Sequence, residues 1–151
     1  LLIPLIALGT IGIRYALFAY AARLAASAGS QCSTFLVDAN PPKDLSAVNV
    51  ATQVANQTAN AFSGIKLTNV ACYIVSAPLA GGSATRQSAP LANPADTSSY
   101  SYNFEVALQG QLNPLVYSKY SGFISIPGLG APIATTARAS VFFESTQGLN
   151  Q

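Results

Sequence analysis

The chain of 151 residues contains no histidine and only 12 charged side chains, or 8 % of the total, against roughly 25 % in ordinary soluble domains. Without histidine, general acid–base work falls to five carboxylates or a shifted lysine. Asp38 and Asp44 are the acids closest together in sequence; they flank a turn, where capping and solvation are their expected roles. The two cysteines, Cys32 and Cys72, lie far apart with no CxxC spacing, and no cluster of Cys, His or carboxylate ligands suggests a metal site. Gly128-Leu129-Gly130 lacks the third glycine and the strand–turn–helix setting of a nucleotide loop. The basic residues are scattered singly and the net charge is only +2, so no cationic stripe is offered to nucleic acid. An enzyme, a metal or cofactor site and a nucleic-acid partner are therefore not expected. No methionine opens the chain, so it is expected to have been processed or to lack upstream residues.

The chain does have an apolar beginning. Thirteen uncharged, mostly apolar residues run from Leu1 to Ile13, and nothing before Asp38 is acidic. The pattern predicts one helix from 1 to about 36, roughly 50 Å long at 1.5 Å per residue, against a hydrocarbon core of about 30 Å. A helix apolar nearly all round must be buried in lipid or in other subunits. Small residues recur at steps of three or four (Gly9, Gly12, Ala16, Ala19, Ala22, Ala26), beside a ridge of bulky ones that includes Leu5, Leu8 and Tyr15. Such a stripe lets helix backbones approach closely. Each glycine costs a helix interior about 1 kcal/mol relative to alanine, so Gly9 and Gly12 call for a close neighbour. Arg14, in the middle of this stretch, needs a partner that residues 1–37 do not supply. The candidates are a carboxylate of another subunit, an upstream residue, the C-terminal carboxylate or a lipid phosphate.

The remainder, 37–151, reads as one α+β head. After the Pro41-Pro42 break, Asp44 is the expected N-cap of an amphipathic helix over 44–63, with Leu45, Val48, Thr52, Ala55, Ala59 and Phe62 on its packed face. The period then becomes two. Strands are predicted over 65–77, from Tyr100 to about Gln109, over 116–126 and over 133–144, with 78–99 a long surface loop. The sum is a long hydrophobic helix, a short amphipathic one and a mainly antiparallel four-stranded sheet. In an extracytoplasmic chain Cys32 and Cys72 are expected to form a disulfide, worth about 4 kcal/mol by loop closure; two buried free thiols are the alternative.

Three stretches resemble type IV pilin-like proteins, and more closely the TadE/TadG-like proteins of tight-adherence pili. They are Leu1 to Leu8 with its embedded Pro4, the arginine-, aromatic- and alanine-rich run from Arg14 to Gly29, and the pair Ile126 to Gly130 with Thr136 to Glu144. Together they cover about a third of the chain. The acidic residue usual in or near the family's apolar run is absent. The resemblance implies a precursor held in the cytoplasmic (inner) membrane, cleaved by a prepilin-type peptidase and moved by pilus assembly machinery into an extracellular filament at the cell surface. In such a helical homopolymer Leu5, Leu8, Gly9, Gly12, Tyr15, Ala16, Ala19, Ala22 and Ala26 would pack against other copies, and Arg14 would form an intersubunit ion pair. The alternatives are a membrane-anchored minor pseudopilin or binding module that does not polymerise, and a viral membrane or coat protein.

Overall fold

The computed structural model describes residues 2–115, 127–128 and 130–151, with Ile3 and Pro4 described by their backbone alone. The elements, in order, are α1 (Leu2–Ser30), α2 (Ala47–Asn60), β1 (Ile65–Pro78), β2 (Thr85–Gln87), β3 (Tyr100–Leu112) and β4 (Ile133–Phe142). The strands form one antiparallel sheet in the order β2-β1-β3-β4. This is the expected α+β class. The composition of the sheet differs in one respect, since its short edge strand β2 lies inside the segment read as loop. The strand expected over 116–126 lies outside the described residues.

Alternation explains how the sheet packs. Tyr102, Phe104, Val106, Leu108 and Leu112 of β3, with Cys72 and Ile74 of β1 and Ala137 of β4, turn to one face and are buried there. The second half of α1 and all of α2 cover that face. An extra residue at Thr68 shifts the β1–β3 register between Leu67 and Asn69, and the Thr68 hydroxyl donates to the Gln109 carbonyl at 2.9 Å. Next to this bulge the ring of Phe18 lies on Gly110. A Cβ at Gly110 would come within 2.7 Å of the Lys66 carbonyl oxygen and 2.9 Å of the Phe18 ring.

The two helices meet through alanine. Ala21, Ala22, Ala25 and Ala26 of α1 and Ala47, Ala51, Ala55 and Ala59 of α2 are all fully buried. Spacing by four puts the α2 alanines on one line. This corrects the expected packed face of α2: Ala55 and Ala59 belong to it, while Val48 and Phe62 are only partly buried at its flanks. With alanines already facing it from α1, the centre of the seam admits only methyl groups.

Two boundaries also move. α1 ends at Ser30, not near residue 36, because the chain turns so that Phe35 enters the core. There its ring meets Phe104 edge-on at 6.2 Å, and its N–H reaches the carbonyls of Gly148 and Gln151. The N-cap of α2 is Ser46, whose hydroxyl accepts from the Asn49 N–H, not Asp44. Asp44 instead closes a tight turn, its backbone exchanging bonds with Asn40 across the cis Pro41-Pro42 peptide. Asp38 supports the cap from outside, accepting from the Ser46 N–H at 2.7 Å and from the Asn49 amide at 2.8 Å. These donors hold the Asp38 carboxyl below the usual carboxylate range.

The segment 78–99, expected as a long surface loop, is tied to the head. Leu91 and Ala95 pack against the core, the Leu91 N–H donates to the Leu149 carbonyl at 2.8 Å, and the Asp96 N–H donates to the Tyr102 hydroxyl at 3.0 Å.

Candidate assembly surface

α1 divides into two halves by what surrounds it. Phe18, Ala21, Ala22, Ala25, Ala26 and Gly29 point into the chain's own core. A side chain at Gly29 would collide with the Phe104 ring. The boundary drawn at residue 36 from sequence therefore does not follow the packing, because the head's core begins at about Phe18. Before it the outward side of the helix is bare: Leu5 is 71 % exposed, Leu8 57 % and Ile13 65 %.

The small-residue stripe is split by the same division. A step of three residues falls about 60° short of a full turn in an α-helix, so repeated steps of three wind the stripe around α1. Gly9, Gly12 and Ala16 face away from the head and are exposed. Ala19 is half-buried at the edge, while Ala22 and Ala26 have wound round into the interior. The expected packing of Ala22 and Ala26 against other copies is thus corrected: α2 and the sheet of their own chain occupy them. The bulky ridge winds likewise, from exposed Leu5, Leu8 and Tyr15 to half-buried Ile11 and buried Phe18.

Gly9 and Gly12 differ from the other glycines of regular structure. A Cβ built at either would meet nothing within 4 Å, whereas Gly29 and Gly110 each have a ring or carbonyl pressed against them. Among the described residues, neither helical glycine is strained or approached.

Arg14 has a partner that the sequence did not suggest. Its guanidinium folds back onto the head, lies over Gly64 and donates to the backbone carbonyl of Asn113. Gly64 has φ +80°, a conformation that favours glycine, and a side chain there would strike the guanidinium. The expected intersubunit ion pair of Arg14 is thereby replaced by an intramolecular bond to an uncharged acceptor. Nothing in the sequence marks a main-chain carbonyl so far along the chain.

The cysteine pairing is also corrected. Cys32 and Cys72 are free thiols. Cys32 follows the end of α1 with its Sγ 3.6 Å from the Ala28 carbonyl, and Cys72 is buried on the helix-facing side of β1. Burial pushes both thiols up, Cys72 to about 12, so neither is a ready nucleophile.

The opposite sheet face carries the one ion pair among the described residues. Arg86 reaches Glu105 at 2.7 Å and lies 3.4 Å above the centroid of the Tyr73 ring. Two shallow depressions also open on the head, one of about 320 Å³ between Thr68, Gln109 and Thr136 and one of about 290 Å³ around Cys32, Lys43 and Asp44. No group of three His, Cys, Asp or Glu side chains comes together among the described residues. α1 is long and apolar enough to cross a membrane.

No protein-family model, curated protein or solved structure matches this chain.

Proposed function

We propose that this chain is a pilin-like structural subunit, of the TadE/TadG-like kind, that polymerises through the first half of α1 into an extracellular filament serving surface attachment. The observation that carries this reading is the open space around Gly9 and Gly12. The chain bears two glycines where a helix prefers alanine, on a face that no described residue of its own head approaches. Close approach of another helix gives them a use, and the neighbouring Leu5, Ile13 and Ala16 supply the contact. A prepilin-type peptidase and pilus assembly machinery would be the processing partners, and the cytoplasmic membrane the site of the precursor.

Electron microscopy of surface filaments, with peptide mapping of their protein, tests this directly. Filaments built of this chain are expected, and Gly12→Leu abolishes them while the head stays folded. Filaments that lack the chain would overturn a major-subunit role.

A membrane-anchored module that does not polymerise is the second reading. It is favoured by the ordered Arg86–Glu105–Tyr73 group on the open sheet face, a built polar surface of the kind that recognises a partner. It predicts a monomer in detergent, with Gly12→Leu leaving partner binding intact.

A further inference from the structure

We propose that α1 carries a docking level for phospholipid headgroups at Tyr20 and Arg23, flanked by Tyr15, and that Arg23 rather than Arg14 is the cation that meets lipid phosphate. The outward face of α1, followed along the helix, changes character in a fixed order. Leu5, Gly9, Ile13 and Ala16 come first, then Tyr20, then Arg23, then Ser27, and all seven are exposed. Hydrocarbon, phenol, guanidinium and hydroxyl is the order in which side chains settle from a bilayer core out into water. Tyr20 is 50 % exposed and Tyr15 47 %, although the tyrosine of β3 that the fold needs, Tyr102, is buried. Among the described residues, neither ring is buried in the head as Phe18 is.

The two arginines of α1 are not equivalent. Arg14 faces the head and is held by the Asn113 carbonyl. Arg23 faces out, and no carboxylate of this chain meets it. All five acidic residues lie among the described residues, and the one ion pair there joins Arg86 to Glu105. α1 itself contains no acid, so a second copy of the helix alongside would bring only like charge to this level. A phosphate-bearing surface brings the complementary charge. The border is oblique. Arg14 marks it on the head side and Arg23 on the far side, nine positions or roughly 13 Å apart along the axis, so the helix enters the surface inclined. This inference rests on the part of the proposed function that sets α1 in an apolar medium, and not on polymerisation.

The test uses the full chain reconstituted from detergent into vesicles. The sequence holds no tryptophan, so Ile13→Trp and Tyr20→Trp each give a single reporter. With phosphatidylcholine brominated at different acyl depths, Trp at 20 is expected to be quenched best by shallow bromines and Trp at 13 by deep ones. In a mixture of phosphatidylcholine vesicles with and without phosphatidylglycerol, separated by density, the chain is expected to favour the anionic population. Arg23→Gln cuts that preference about fivefold; Arg14→Gln leaves it unchanged and lowers the thermal stability of the head instead. Equal quenching depths at 13 and 20, or an Arg23→Gln chain that sorts like the wild type, would overturn the proposal. Polymerisation is scored separately by microscopy: a chain that docks at this depth yet never forms filaments refutes the filament reading alone.

Discussion

Replacing Gly9 and Gly12 together with alanine separates the needs of the monomer from those of an assembly. Neither new methyl group would meet an atom within 4 Å, so no steric cost arises in the isolated chain. Each substitution removes the backbone-entropy penalty of a helical glycine, about 1 kcal/mol. The pair should therefore favour the helical state of the free half of α1 by about 2 kcal/mol, roughly a thirtyfold change in its local helix–coil equilibrium. The gain falls on a segment held to the head on its inner side by Ala7, Ile11 and Arg14, so a melting curve of the head should rise slightly or stay level. Amide hydrogen exchange in detergent micelles reads it instead: amides of residues 9–16 should become about thirtyfold more protected, with those of β3 unchanged. Gly29→Ala is the contrast, because its methyl group would enter the Phe104 ring and should cost the head about 1–3 kcal/mol by overpacking. Should the double alanine variant lose protection, or the head lose stability, the two glycines have a partner inside the chain and the case for an external one fails.

Arg14→Gln should destabilise the head by about 1.5 kcal/mol, the low end for a hydrogen bond to a charged group because the site is only half-buried, a fall in Tm of about 3–6 °C. Differential scanning calorimetry checks this, and unchanged stability would return Arg14 to an external partner. Cys72 should label with iodoacetamide only after unfolding and the half-buried Cys32 slowly in the native state, giving two adducts in denaturant without reductant; failure to label in denaturant would mean the thiols are joined. Asp38 has its carboxyl held below the ordinary value, so its contribution is full above about pH 3.9, the unfolded value, and is lost as the pH falls through the lower native one. The Ser46 and Asn49 amide resonances should report that late titration, and Asp38→Asn should abolish it; a midpoint at the ordinary carboxylate value would contradict the bonding described.

Much of the fold was legible because its signals are local. Strand β3 announces itself by alternation from Tyr100 to Leu108, and α1 by an uncharged apolar run to Ile13 whose helical pattern carries on past Arg14 and Arg23. What escaped was decided by distant contacts. No glycine or proline stands between Ser30 and Leu36 to end the helix; the end is imposed by Gly148 and Gln151 at the other terminus of the chain. β2 is three polar residues that pair with β1 at Ile74 to Ser76 and carry no apolar pattern of their own. Of the three side chains able to cap α2, Asp38, Asp44 and Ser46, the turn at Pro41-Pro42 takes up the backbone of Asp44 and leaves the others to share the task. At the candidate surface, Gly9 and Gly12 were readable as misfits in a helix. The inward winding of Ala22 and Ala26 was also readable, since steps of three drift around the axis. The partner of Arg14 was not readable, because any carbonyl has the same sequence signature.

The same device operates twice along α1. In its second half, alanines allow α2 to lie close, and the seam is completed inside one chain by Ala47, Ala51, Ala55 and Ala59. In its first half, glycines open a still closer approach, and among the described residues no helix of this chain makes it. Water is an unfavourable neighbour there, since Leu5 and Ile13 stand beside the glycines exposed. Lipid relieves that exposure but leaves the glycines without benefit, because acyl chains cover a leucine as well as they cover a groove. Passing from lipid to a packed helix bundle buries little additional apolar area, so the preference must come from backbone proximity and van der Waals fit. Two glycines that weaken the helix by about 2 kcal/mol are consistent with such a fit. They are also what would make Gly12→Leu decisive: it adds apolar surface that lipid accepts and removes the one feature that lipid does not need.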